Sequence, residues 1–281
     1  MPHGRAAPAS LTVQRGSLTL VKGMRFSGKS AVVTGASRGI GRAIVLRLAQ
    51  EGAHAVLCAR DGEALKQAVE EIELAGGSAA AIALDLRKPE NPALLAEFAM
   101  SRFGRIDIVV SNAGATKRGE FEALTEAEWA DGFALKFFGA VRLTRAAWPR
   151  LKHSAGSLIF ISGIGGRTPG REFTIGGSVN AALLAFTKAM AEAGLRDGVQ
   201  VNAINPGTIR TGRFEKRLEV FAAERKIAVS EAEQLYVQEE NVSRIGEPDE
   251  IASLVAFVAG PEGRFLHGSL IDMDGGATKT I

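Results

Sequence analysis

The 281-residue sequence has one cysteine, Cys58, and one tyrosine, Tyr236. A lone cysteine excludes a disulfide within the chain and suits a reducing cytoplasm. Its place in the apolar run Ala55-Val56-Leu57-Cys58-Ala59 predicts a buried, inert thiol. Histidines are scarce too: His3, His54, His153 and His267 show no ligand spacing, so no metal site is expected. No apolar run approaches the roughly 18 residues of a membrane span, which predicts a soluble protein with no membrane partner. The net charge is only +3, and no basic run is interleaved with aromatics, which speaks against a nucleic-acid partner. Arginines in such a chain are better suited to the phosphates of a small ligand. With 46% hydrophobic and 23% charged residues the composition is near globular averages, and 281 residues fit one large α/β domain.

What the sequence does contain is a glycine-rich stretch, Thr34-Gly35-Ala36-Ser37-Arg38-Gly39-Ile40-Gly41, between the apolar run Ala31-Val32-Val33 and a helix-like segment from Arg42 to Ala49. A strand that turns through glycines into a helix leaves backbone N–H groups and a helix dipole facing an anion. This predicts a dinucleotide phosphate cradle. Further strand runs follow at Ala53–Cys58, Ala79–Leu84, Ile106–Val110, Ser157–Ile161, Val199–Ile204 and Leu270–Asp272. Helical segments alternate with them: Gly62–Leu74, Pro92–Phe103, Glu126–Leu151, Gly176–Leu195 and Glu247–Val258. Such alternation predicts a single Rossmann-like, doubly wound parallel sheet of about seven strands with helices on both faces.

Residues 1–23 carry Arg5, Arg15 and Lys22 but no acidic residue and no periodic pattern. They are expected to be a mobile N-terminal extension, without the apolar core of a secretory signal, ahead of a single domain over 24–281. The charged stretch at about 212–240 predicts one or two amphipathic helices after strand six. Ligands of open α/β sheets bind beyond the strands' carboxyl ends, so these helices are expected to form a lid rather than a solvated connector.

The same strand ends supply the candidate site residues. Arg38 lies in the cradle, and Ala59-Arg60 follows strand two, where an NAD-preferring chain would place an acid. Two guanidiniums there favour a 2′-phosphate and hence NADP(H). Asp85-Leu86 ends strand three and Asn112-Ala113-Gly114 ends strand four. With these motifs the chain resembles the short-chain dehydrogenase/reductase family from about Met24 to Gly276. Ser162 ending strand five, Pro206-Gly207 with Thr211 after strand six, and Arg244-Ile245-Gly246-Glu247-Pro248 extend the match. The resemblance implies cofactor contacts from Gly35, Ser37, Arg38, Ile40, Gly41, Arg60, Asp85, Leu86, Asn112, Ala113, Gly114, Asn180, Pro206, Gly207 and Thr211. It also implies a homo-oligomer, dimer or tetramer, built on the helices after strands four and five.

In that family a serine holds the substrate oxygen, a tyrosine transfers the proton, and a lysine four residues on lowers the tyrosine's pKa. Here Gly176-Gly177-Ser178-Val179-Asn180-Ala181-Ala182-Leu183 puts Gly176 at the tyrosine and Asn180 at the lysine. Tyr236 lies far away in the lid stretch, and Lys188 is two turns beyond Asn180, roughly 12 Å along a helix. In Leu135-Lys136-Phe137-Phe138-Gly139, Lys136 stands where relatives carry asparagine, so lysine and asparagine have exchanged places. The expected catalytic set is Ser162, Lys136 and Asn180. Lys136 is expected to fill the family lysine's volume and to donate the proton after desolvation between Phe137, Phe138 and the cofactor, while Asn180 bonds the ribose or a water; the alternative is that Lys136 only fills the gap, with no proton transfer. Gly176 and Gly177 are expected to leave a vacancy where a phenol ring would stand, and Gly163–Ile175, with Arg167, Arg171, Glu172 and Thr174, to border the substrate pocket. The leading reading is an NADP(H)-dependent oxidoreductase acting on a small carbonyl or alcohol. The alternatives are an NADP(H) sensor or scaffold without turnover, and lyase or hydrolase chemistry on the same scaffold.

Overall fold

The computed structural model describes residues 24–280. The expected mobility of residues 1–23 lies outside them. Strands β1 (Ser30–Thr34), β2 (His54–Ala59), β3 (Ser78–Ala83), β4 (Ile108–Ser111), β5 (Ser157–Ile161), β6 (Gln200–Pro206) and β7 (Leu270–Met273) form one sheet in the order β3-β2-β1-β4-β5-β6-β7. Every pairing is parallel. The apolar runs explain this: β1 and β5 are buried along their whole length, as strands covered on both faces must be.

Two helical layers provide that cover. Against one face pack α1 (Gly39–Gln50), α2 (Gly62–Leu74) and α9 (Pro248–Ala259), through residues such as Ile44, Leu48, Leu65 and Ile251. Against the other lie α3 (Asn91–Phe103), α5 (Gly139–Ser154) and α6 (Thr174–Asp197), through Leu95, Leu143, Leu151 and Leu183. Cys58 sits at this second interface, fully buried, its thiol pushed up to about 12 by desolvation. Among the described residues no helix is long and apolar enough to cross a membrane, and no cluster of metal-ligating side chains occurs.

Two elements differ from expectation in ways that bear on function. The segment Glu126–Leu151 is not one regular α-helix: α4 (Glu126–Gly132) passes into a π-turn over Phe133–Phe138 before α5 begins. Gly132 and Gly139 bound that turn because their neighbours are close; a Cβ on Gly132 would lie 2.7 Å from Ile175 Cγ2, and one on Gly139 3.3 Å from the Leu86 carbonyl oxygen. The stretch after β6 forms a helix pair, α7 (Gly212–Arg225) and α8 (Val229–Glu239), with an apolar centre of its own at Phe214, Leu218, Ala222, Ala232, Tyr236 and Ile245.

Candidate functional site

The strand order reverses between β1 and β4, and the glycine-rich loop leaves β1 at that switch point. Gly35 and Gly39 adopt positive φ, +66° and +55°, which a larger residue would resist. A Cβ on Gly41 would stand 2.2 Å from the Gly35 carbonyl oxygen and 2.5 Å from Asn112 Nδ2, so only glycine closes the turn. Helix α1 begins after Arg38 with no side-chain cap, leaving its first N–H groups for an anion. The loop is clasped from β4. Thr34 Oγ1 accepts the N–H groups of Asn112 and Ala113, both at 2.9 Å, while Asn112 Nδ2 donates to the Thr34 carbonyl at 2.9 Å. Ser37 and Ile40 are half-buried along this rim.

At the corner beyond β2 and β3, Arg60 is exposed and Leu86 buried. Asp85 accepts from the Arg87 backbone N–H at 3.1 Å and from its guanidinium at 3.2 Å. Burial works to raise the Asp85 pKa, but these bonds prevail and hold the carboxyl below its ordinary range. Arg87 is also committed to Asp131, whereas among the described residues neither Arg38 nor Arg60 has an ion-pair partner.

The other end of the crevice brings Ser162, Lys136 and Asn180 together. Lys136 Nζ donates to the Ser162 carbonyl and to Asn180 Oδ1, each at 2.6 Å. Ser162 Oγ donates to the Asn180 carbonyl at 3.2 Å. Desolvation of the ammonium, with the nearby Arg213 charge adding to it, lowers the Lys136 pKa from 10.5 to about 7. Glycines make this packing possible: a Cβ on Gly114 would meet Lys136 Cδ at 2.8 Å, and one on Gly163 would lie 3.0 Å from Asn180 Nδ2.

Three details correct the sequence reading. Phe137 and Phe138 do not enclose the ammonium: Phe137 packs edge-on to Phe186, and Phe138 is exposed on the outer face. Asn180 Oδ1 accepts from Lys136 Nζ, a bond the sequence did not indicate. The vacancy expected at Gly176 does not exist, because the Phe173 ring occupies it; a Cβ on Gly176 would fall 2.1 Å from Phe173 Cε2 and Cζ. Loop residues Arg167 and Arg171 are tied up in ion pairs with Asp272 and Glu120.

Strand β6 leads into the helix pair across this crevice. Gly207 is pressed against Asp274, and Thr211 Cγ2 would lie 3.1 Å from a Cβ on Gly39. From α7, Arg213 reaches the Gly114 carbonyl at 3.0 Å, so the excursion spans both sides of the switch point. Arg118, Phe173, Arg213 and Arg217 escaped the sequence reading. A signal existed for two of them, since Arg213 and Arg217 are spaced four apart on one helix face; Phe173 had none, because its ring fills a place defined only in three dimensions.

Residues 29–220 match the family model described as short chain dehydrogenase. An uncharacterized oxidoreductase of Mycobacterium tuberculosis is 40% identical over 256 residues, covering 90% of this chain and 94% of the relative. The L-sorbose reductase of Gluconobacter frateurii, solved as a complex with NADPH and L-sorbose, superposes with a TM-score of 0.88 at 32% identity over 92% of this chain and 99% of its own. A short chain oxidoreductase of Pseudomonas aeruginosa, described as containing an atypical catalytic center, superposes with a TM-score of 0.85 at 28% identity over 91% and 99% of the two chains.

Proposed function

The chain belongs to the short chain dehydrogenase family, and from that premise we propose that it moves a hydride between NADP(H) and a small carbonyl or alcohol, with Lys136 as the proton donor. The residues fit the cofactor: a cradle that any Cβ would fill, an uncapped helix N-terminus, and two guanidiniums at the adenosine corner that have no ion-pair partner among the described residues. In this reading Gly35, Ser37, Arg38, Ile40 and Gly41 hold its phosphates, and Arg38 and Arg60 take the 2′-phosphate. Asp85 and Leu86 border the adenine, and Asn112, Ala113, Gly114, Asn180, Pro206, Gly207 and Thr211 line the remaining length. When bound, NADPH supplies the hydride.

The chain's own residues handle the proton. The observation that carries the proposal is the position of Lys136 Nζ, 2.6 Å from both the Ser162 carbonyl and Asn180 Oδ1. An ammonium has three N–H donors, so one remains for a substrate oxygen. After that proton leaves, the neutral amine still has two N–H groups, enough to keep both bonds. The acceptor pair therefore fits the acid and its conjugate base alike, and the transfer needs no rearrangement of the site. A pKa of about 7 suits a proton donor at neutral pH. Ser162 orients the substrate oxygen, exchanging its 3.2 Å bond to the Asn180 carbonyl for one to the ligand.

The test is titration of the purified protein with NADPH, followed by a panel of carbonyl compounds read at the nicotinamide absorbance. Oxidation of NADPH by one or more of them is expected. Tight NADPH binding with no oxidation across the panel would leave a sensor or scaffold, and failure to bind NADPH would remove both readings.

A further inference from the structure

The helix pair after β6 treats its arginines in two ways. Arg210 bonds Glu233 at 2.7 Å and Glu247 at 2.9 Å, and Arg225 bonds Glu239 at 2.8 Å. Arg213 and Arg217, one turn apart on α7, have no carboxylate within ion-pair distance among the described residues, nor has Arg118, which faces them from the loop after β4. Arg217 donates to the Tyr236 hydroxyl at 2.7 Å, yet its Nε is shut off from solvent with no partner. The Arg118 guanidinium lies 4.1 Å from the centre of the Phe173 ring. These cations feel one another: desolvation lowers the Arg118 pKa with Arg217 adding to it, and desolvation lowers that of Arg213 with Arg38 and Arg217 adding. Glu172 and Glu240 act on Arg118 only from longer range, and Glu172 is near Arg171 at 3.7 Å.

Three like charges held together over one crevice repel each other, and among the described residues none of them has a carboxylate within ion-pair distance, Glu172 and Glu240 offsetting Arg118 only from longer range. An evolved surface retains such a cluster when a ligand supplies the opposite charge. We infer that the substrate is an organic anion, its carboxylate held by Arg118 and Arg217 beneath the α7 helix while its carbonyl faces Lys136 and Ser162. Phe173, already stacked under Arg118, offers a flat apolar wall to the body of such a molecule. The inference rests on the crevice being the active site proposed above, but its test needs no turnover.

Calorimetry on the NADPH-loaded protein compares benzoate with benzamide, which differ in charge and little in shape. A guanidinium–carboxylate bond predicts benzoate binding tighter by about tenfold or more, a preference falling to within about twofold in Arg118→Met and Arg217→Met. Arg217→Lys, which keeps the charge, should retain part of it, and Arg118→Met changes an exposed residue outside the helices and strands. NADPH affinity should be unchanged in all three variants. Equal binding of benzoate and benzamide to the wild-type protein overturns the inference, as does a parallel loss of NADPH affinity in the variants, which would assign the guanidiniums to the cofactor. If NADPH does not bind at all, the oxidoreductase reading fails, and the benzoate preference of the unloaded protein decides the anion site by itself.

Discussion

Replacing Lys136 with methionine tests the proposed chemistry most directly. The ammonium has a pKa lowered from 10.5 to about 7, chiefly by desolvation. A shift of that size corresponds to at most about 5 kcal/mol of proton affinity, trimmed because the residue is only half-buried. General acid catalysis by a positioned group contributes about 10² to 10⁴ in rate. Lys136→Met should therefore lower kcat for carbonyl reduction by about two to four orders of magnitude, with NADPH affinity altered far less. The wild-type profile carries the matching signature. Reduction requires the protonated amine, so kcat/KM should fall as pH rises through about 7, and alcohol oxidation should rise through the same region. Lys136→Arg keeps a positive charge that does not dissociate near neutrality, and it should be as inactive as the methionine variant. A methionine variant within about threefold of wild type, a profile flat through neutral pH, or full rescue by arginine would each refute proton transfer from Lys136. Stability follows with its own sign. A lysine whose folded pKa is depressed costs stability when charged, so that penalty grows as pH falls from 10.5 toward about 7 and is complete below it.

Other sites give sharp outcomes too. Gly41→Ala drives a methyl to 2.2 Å from the Gly35 carbonyl oxygen; NADPH affinity should drop by about tenfold or more and the melting temperature should fall, measured by fluorescence titration and thermal denaturation. Arg60→Glu should weaken NADPH binding by roughly 10- to 100-fold while leaving NADH binding nearly unchanged, since only the former carries the 2′-phosphate. Gly176→Tyr places its Cβ 2.1 Å from the Phe173 ring, so it should cost about 1–3 kcal/mol in denaturant unfolding, a loss relieved by adding Phe173→Ala. Asp107 is buried at the foot of the sheet, bonded by Arg105 at 2.6 Å and by the Ser30 N–H at 2.9 Å. Burial raises its pKa, but these bonds outweigh that and hold it below 3.8, so its contribution is present above that pH and lost as the pH falls below it. Asp107→Asn should cost about 1–3 kcal/mol at neutral pH and flatten the acid side of the stability curve.

The fold was legible because its signals are local and repeated. Short apolar runs alternating with helical periodicity leave few topologies besides a doubly wound sheet, and Gly62–Leu74 and Ser157–Ile161 come out with the bounds read from the sequence. The cradle was legible for a similar reason, since a strand, a glycine turn and a helix start sit within a dozen residues. The proposed catalytic end was legible only in its residue types. Lys136, Ser162 and Asn180 were identified from their places relative to a family pattern, but their mutual bonds span 26 and 44 positions and depend on the π-turn over Phe133–Phe138. Such a turn has no strong sequence signature, because it differs from an α-turn by one added residue. The role of Gly114 was likewise hidden: it gives room to the Lys136 stem, a reason invisible without the stem's path.

In the proposed reading the departures from the family pattern support one another, as a rebuilt rather than a decayed site requires. Losing a tyrosine and a lysine without replacement would leave a cavity and unsatisfied polar groups in a buried wall. Instead the Phe173 ring fills the place beside Gly176, Lys136 brings an amine in from another helix, and Asn180 accepts from it. Gly114 and Gly163 yield the space that this arrangement requires. Each change makes sense only with the others, so single reversions should fail. Asn180→Lys alone would set two ammonium groups within bonding distance, where like charges at low dielectric disfavour both being protonated. Phe173 would still bar a tyrosine at position 176. On the proposed reading, activity through a tyrosine at position 176 would require exchanging Lys136, Phe173, Gly176 and Asn180 together, because Phe173 occupies the place of its ring and Lys136 bonds Asn180.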